Sequence, residues 1–379
     1  MKTILIFADW YTPGYKAGGP VQSVYNLAQL LSKYFIVRVV TTNKDLNSSE
    51  PYPDIEPNAW IMLDKNHFVQ YLNQDKLNRH FIKQLINENR DNVILINGLF
   101  SFYFSVLPVF YSLLFKNSRT FIAVRGMLHK SALSVKPLKK QIFIAFARGF
   151  GLYKHAVLLS TNDQESIEIA RIFGGMKINI APNIPLLPKN YFLQDFNFKG
   201  SDKMIRLLFL GRISPEKNPL VLLEALNKMR SPCHVTFCGS SNNPEYFSKF
   251  MEKLGQLPQH IKYKYIPDIP HAEIGSLLSA TDVMVMPSLG ENFGHAIFES
   301  FVHSVPVIIG NNTPWTGIEV KFAGIEVNPS DSELLLLAVE KFVAMDEVSY
   351  NLWREGAFNL SKAYFEENNF DEIYLKLFS

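Results

Sequence analysis

A chain of 379 residues has room for about two domains. With 47% hydrophobic and 19% charged residues and no low-complexity tract, it is neither disordered nor fibrous. Net charge is only +3 and no nucleic-acid module appears, so a nucleic-acid partner is not expected.

Residues 1–7 read as a first strand rather than a signal peptide. They lack a small-residue cleavage site and run straight into a turn, so a cytoplasmic protein is expected. A strand over 4–8 leads to a glycine loop (Gly14, Gly18, Gly19) and a helix over 21–32. Further strands are expected at 36–41, 93–97, 120–125, 157–160 and 177–180, with helical patterns between them. The apolar run 99–115 is seventeen residues long and is broken by Pro108. It falls short of the ~20 residues that span a bilayer and reads as a buried or half-buried helix. Gly19, before a helix, would let backbone amides approach a ligand. Arg125, at a strand end, and His129 nearby are candidates for binding on this half of the chain.

Charge is uneven. Residues 1–190 hold 22 Lys/Arg against 12 Asp/Glu, and residues 191–379 hold 16 against 23. From Asn92 to Asn162 there are nine basic residues and no acidic one. Within that window, the segment 130–154 mixes Lys136, Lys139, Lys140, Arg148 and Lys154 with Ile142, Phe143, Ile144, Phe146 and Phe150. Such a segment suits an anionic membrane surface. It equally suits a helix packing its aromatic side into the first domain.

Residues 182–188 read as the start of a linker that stays irregular to 203. Strands resume at 205–210, 234–239, 262–266, 283–287, 305–309 and 324–327. Cys233 and Cys238 fall on opposite faces of one of them, which fits neither a disulfide framework nor a thiolate metal site. The alternation argues for an α/β protein with two doubly wound parallel sheets. After the strand at 205–210, Gly211 allows a close backbone turn. Arg212 and Lys217 follow on one loop, where two cations suit a diphosphate. After the strand at 283–287 come Glu291-Asn292-Phe293-Gly294 and a helix carrying Glu299. Ligands of open α/β sheets bind at such strand ends, and helix N-termini favour anions.

Glu291 and Glu299, with Phe-Gly after the first and Ser304-Val-Pro-Val-Ile behind, resemble the E-x7-E motif of retaining glycosyltransferases of family four. Gly211-Arg212…Lys217 resembles that family's G-R-x4-K loop, and Ala17-Gly18-Gly19-Pro20 its N-terminal glycine loop. Arg125-Gly126-Met127-Leu128 and Thr313-Pro314-Trp315 resemble its bacterial polysaccharide-assembly branch. The resemblance implies a GT-B fold, two Rossmann-like domains facing across a cleft, and a UDP- or GDP-sugar donor. Glu299 would hold the ribose and Arg212 and Lys217 the diphosphate. Glu291, Asn292, Phe293 and Gly294 would hold the sugar, Gly211 and Gly19 would line the donor site, and Arg125 and His129 would face a saccharide or lipid-linked saccharide acceptor. Configuration would be retained, in bacterial surface polysaccharide synthesis on the cytoplasmic membrane face. Trp315 would be either a structural aromatic or a neighbour of the base. Domains are expected at 1–185 and 204–360, with 361–379 returning to the first.

No Asp-x-Asp, P-loop or G-x-G-x-x-G occurs. His295, Glu299 and His303 are spaced four apart, but eight helical residues span ~12 Å, too far for one ion. No metal or other cofactor is expected. A non-catalytic nucleotide-sugar or glycan-binding subunit and an epimerase of the same gross fold are the alternatives.

Overall fold

The structure, a computed structural model, describes residues 1–117, 119–129, 132–133, 137–186, 191–193, 196, 198–199 and 204–379. Lys130, Lys136 and much of the linker expected at 186–203 lie outside the described residues. The chain divides into two compact units, Met1–Ile184 with Asn369–Ser379, and Pro185–Asn368.

The first unit is an eight-stranded sheet in the order β3-β4-β2-β1-β5-β6-β7-β8. Its centre is β1 (Thr3–Phe7), flanked in parallel by β2 (Ile36–Thr42) and β5 (Val93–Asn97). Four of the five residues of β1 and all of β5 are buried, as a strand covered on both faces requires. A hairpin, β3 (Trp60–Asp64) and β4 (His67–Leu72), extends the sheet where only helical patterns were expected. Its signal is masked because β4 buries two polar side chains, His67 and Gln70, among its apolar ones. On the other side lie β6 (Thr120–Ala123), β7 (Val157–Ser160) and β8 (Lys177–Ile180).

Helix α1 (Gly19–Leu31) is capped by Gly18, whose φ of 67° favours glycine. Asn78 caps α2 (Arg79–Glu88) by accepting from the Phe81 amide. The apolar run 99–115 forms a short π-helix (Phe102–Val106) running into α3 (Leu107–Leu114), with Pro108 tolerated in its first turn. Among the described residues no helix is long and apolar enough to cross a membrane. Next come α4 (Pro137–Gly149) and α5 (Asp163–Ile172).

The second unit is a six-stranded, all-parallel sheet in the order β11-β10-β9-β12-β13-β14. Its strands are β9 (Ile205–Leu210), β10 (Cys233–Cys238), β11 (Ile261–Ile266), β12 (Val283–Met286), β13 (Val307–Gly310) and β14 (Gly324–Val327). Its helices are α6 (Pro219–Lys228), α7 (Pro244–Gly255), α8 (His271–Ser279), α9 (His295–Val302), α10 (Ser332–Ala344) and α11 (Glu347–Glu367). Side chains alternate between two cores. Leu207, Phe209 and Cys233 pack with α6, α7 and α10, whereas Leu208, Leu210 and Cys238 pack with α9. The two cysteines are therefore free, buried and on opposite faces.

The C-terminal segment is divided. Tyr364 belongs to α11 and packs on Phe298 and Trp315 in the second unit, instead of starting a helix that returns to the first. Only α12 (Phe370–Phe378) joins the first unit. There the Tyr374 hydroxyl donates to the Pro182 carbonyl at 2.7 Å, and Phe378 meets Phe121 edge-on.

One buried carboxylate ties β9 to β12. Asp282, fully buried, accepts from the Arg206 amide at 2.6 Å and from its guanidinium at 2.7 and 3.0 Å. It also accepts from the Lys199 amide at 3.0 Å, and its carbonyl accepts from the Tyr350 hydroxyl at 2.7 Å. Removing one partner of a buried pair strands the other charge, so Asp282→Ala should destabilise the protein by about 3–5 kcal/mol in urea unfolding. A change within 0.5 kcal/mol would show that the pair is not a tie.

Candidate active site

The strand order of the second unit reverses between β9 and β12. In an open parallel sheet the loops leaving such a pair diverge to opposite faces and open a crevice at the carboxyl ends. Both motifs of this half lie on those loops.

The loop after β9 folds over Ser214, whose carbonyl accepts from the Lys217 and Asn218 amides. Asn218 takes a left-handed conformation (φ 55°), donates its side-chain amide to the Pro329 carbonyl at 2.6 Å and leads into α6, with Pro219 in the first turn. The loop after β12 is tied to it by Leu289, whose amide donates to the Glu216 carbonyl at 2.8 Å. These ties bring the Lys217 ammonium to 2.5 Å from the Glu291 carboxylate. The Glu291 side chain is 8% exposed and that of Lys217 21%, so the pair is partly shielded from solvent. Arg212 stands exposed on the same loop, and among the described residues no side chain pairs with it.

The close backbone approach expected at Gly211 depends on its neighbour. A Cβ at Gly211 would make ordinary contacts with Met286 and Lys217, whereas one at Gly239 (φ 145°) would fall on the Gly211 carbonyl. Gly239 follows β10 beside β9, and glycine there lets the two strand ends close up.

Gly294 caps α9 in a left-handed conformation (φ 77°). Asn292, Phe293 and Gly294 lie on the turn into that helix. The Phe293 ring is buried against Phe298, Trp315 and Tyr364, so only its backbone is available to a ligand. Trp315 is structural: it is buried in this cluster and its indole donates to the Phe293 carbonyl at 2.5 Å.

Glu299, one turn into α9, meets a residue that the sequence reading missed. His271, the first residue of α8, lies 2.7 Å from its carboxylate through Nε2. One turn further along both helices, the absence of a side chain at Gly275 admits the His303 ring, whose Nδ1 lies 2.8 Å from the Glu299 carbonyl. Close packing of α8 on α9 thus sets the His271–Glu299 distance. No spacing signature announces His271, because its partner is 28 residues away.

In the first unit the Arg125 guanidinium donates to Asn97 at 3.1 Å and to the Asn183 side chain. His129 lies 3.8 Å from Glu168. Gly19 is the first residue of α1. Asp45 holds the approach to it by accepting from the Tyr15 and Lys16 amides at 2.9 and 3.2 Å. Asp9, just past β1, is a second carboxylate not anticipated: burial pushes its pKa up, and a hydrogen bond with Ser101 opposes that. Among the described residues no three His, Cys, Asp or Glu side chains are grouped to hold a metal ion.

The hydrogen bond with Glu299 raises the His271 pKa above its ordinary 6.5, against burial, with the carboxylate charge adding to the rise. A raised folded-state pKa gives stabilisation that is complete below the unfolded value and is lost as pH climbs through the folded one. The melting-temperature gap between wild type and His271→Ala should therefore be widest below about pH 6.5 and narrow above it. A gap independent of pH would mean that the contact is uncharged.

Comparison with known proteins bears on the family and the fold. Residues 193–357 match the family model described as "Glycosyl transferases group 1". A D-inositol 3-phosphate glycosyltransferase of Jonesia denitrificans is 26% identical over 172 residues, covering 40% of this chain and 40% of the relative. The match thus spans about two fifths of that curated relative's length. Among solved structures, Anabaena HepE in complex with UDP-glucose has a TM-score of 0.70 at 15% identity, covering 100% of this chain and 98% of that one. WaaG, a glycosyltransferase involved in lipopolysaccharide biosynthesis, has a TM-score of 0.66 at 15% identity, covering 99% and 98%. The chain has the GT-B fold, and its segment 193–357 matches the group 1 glycosyltransferase model.

Proposed function

We propose that this protein is a retaining glycosyltransferase that works without a metal ion. It moves a sugar from a UDP- or GDP-sugar to a saccharide or lipid-linked saccharide acceptor in bacterial surface polysaccharide assembly, at the cytoplasmic membrane face. The observation that carries the reading is the 2.5 Å contact of Lys217 with Glu291, which unites two motifs 74 residues apart at the switch point of the second sheet. The likeness to HepE, solved in complex with UDP-glucose, and to WaaG, involved in lipopolysaccharide biosynthesis, supports the donor and the pathway class.

In this reading Arg212, exposed and unpaired among the described residues, grips the diphosphate, and Lys217 adds a second positive charge beside it. The two cations stabilise the negative charge that develops as the diphosphate leaves. Glu291 and the backbone of Asn292, Phe293 and Gly294 orient the sugar, with Lys217 fixing the carboxylate. Glu299, held by His271, accepts hydrogen bonds from the ribose hydroxyls. The acceptor hydroxyl attacks the anomeric carbon on the face the diphosphate leaves, and the departing phosphate takes its proton, so configuration is kept. Gly19 lines the donor site, and Arg125 and His129 shape the acceptor side, Arg125 through its hold on Asn97 and Asn183.

Thermal melts with UDP, GDP, ADP and CMP test the donor site. A ligand at 100 times its Kd stabilises the native state by about 2.7 kcal/mol. UDP or GDP should raise the midpoint in wild type, with the rise lost in Arg212→Ala. No rise with any nucleoside diphosphate, or an equal rise in Arg212→Ala, would overturn the assignment.

A further inference from the structure

A surface helix normally turns its apolar stripe inward and its charges outward. Helix α4 breaks that rule. Its inner side is apolar, with Ala147 buried and Phe143 and Ile144 packed on the first unit's core. Its outer side is apolar too. Leu138, Ile142, Phe146 and Phe150 follow one another at intervals of four, so they form one line down the helix and the turn that ends it. They are 69%, 62%, 51% and 74% exposed, and the last two rings sit 4.4 Å apart. Single exposed apolar residues need no explanation, but four large ones in line mark an interaction surface.

The charge around the line selects its partner. Lys139 is exposed next to Leu138 at the edge of the line, and Arg148 and Lys154 are exposed elsewhere on the helix and just past it, in a window from Asn92 to Asn162 with no acidic residue. A copy of this same face would bring like charges together. An anionic lipid surface offers apolar depth for the line and negative headgroups for its flanks.

We infer that the outer face of α4 docks this protein on an anionic membrane surface, with Leu138, Ile142, Phe146 and Phe150 entering the acyl boundary, Lys139 on the headgroups, and Arg148 and Lys154 adding to the positive charge around them. The basic segment expected from sequence thus takes both roles that had seemed alternatives: one apolar side packs the core and the other faces out. The surface does not depend on the sugar-transfer reading, because docking requires no donor.

Flotation of the full chain with phosphatidylglycerol/phosphatidylcholine vesicles, and with phosphatidylcholine alone, tests it. Binding to the anionic vesicles is expected at low salt, weakening as salt rises. Lys139→Gln should weaken it roughly fivefold, the effect of about 1 kcal/mol per basic residue at the surface, and Arg148→Gln, on the side of the helix away from the line, should weaken it less. The Ile142→Ser/Phe146→Ser/Phe150→Ser triple variant should lose binding while keeping the wild-type melting temperature, since all three side chains are exposed. If nucleotide binding failed while vesicle binding held, only the sugar-transfer reading would fall. Absence of vesicle binding, equal binding to neutral vesicles, undiminished binding by the triple variant, or a dimer in solution that this variant dissociates would overturn the proposal.

Discussion

The second unit depends on β9 and β12 lying side by side, and the pair is tied at both ends. At the start of the strands Asp282 grips the backbone and guanidinium of Arg206. Past their ends Lys217 meets Glu291. Two parallel registers between the ties, Val283 with Leu207 and Met284 with Leu208, complete the join. Everything chemical in this unit is placed by that adjacency. The loop after β9 supplies cations and the loop after β12 supplies a carboxylate and a helix. A different strand order would leave the same residues on unrelated edges.

Much of this was legible because it is local. The strands at 93–97, 157–160, 177–180, 205–210 and 324–327 appear with the expected bounds, each a short apolar or alternating run. The helix after Gly294 was equally clear, since a glycine followed by apolar residues at helical spacing is visible in the sequence, and the structure places that glycine at positive φ. What stayed hidden is set by tertiary packing. His271 gains a partner only because α8 packs against α9, and Gly239 matters only because its neighbour strand is β9. The β3–β4 hairpin was missed because its buried His67 and Gln70 interrupt the apolar pattern. For α4 the residues were visible but not their sidedness: a helix with apolar residues on two sides does not announce which of them the core takes.

The two cations after β9 are not equivalent, and that asymmetry bears on how a site of this kind works. Lys217 is already neutralised by Glu291, whereas Arg212 faces solvent without a partner among the described residues. While tethered to that carboxylate the ammonium fixes it in place and adds little net charge to the crevice, and it lends its charge to a phosphate only as far as it is drawn off Glu291. A free guanidinium keeps its full charge and its planar fork of donors for an incoming phosphate. If a diphosphate draws Lys217 part of the way toward itself, Glu291 loses part of its hydrogen bonding and turns to the next available donors, which the proposed reading supplies as sugar hydroxyls. Recognition of the leaving group and of the transferred group would then be coupled through one 2.5 Å contact. Arg125 presents the opposite arrangement in the first unit. Its head is held by Asn97 and Asn183, so it arranges a scaffold, and a ligand there would meet the groups it positions.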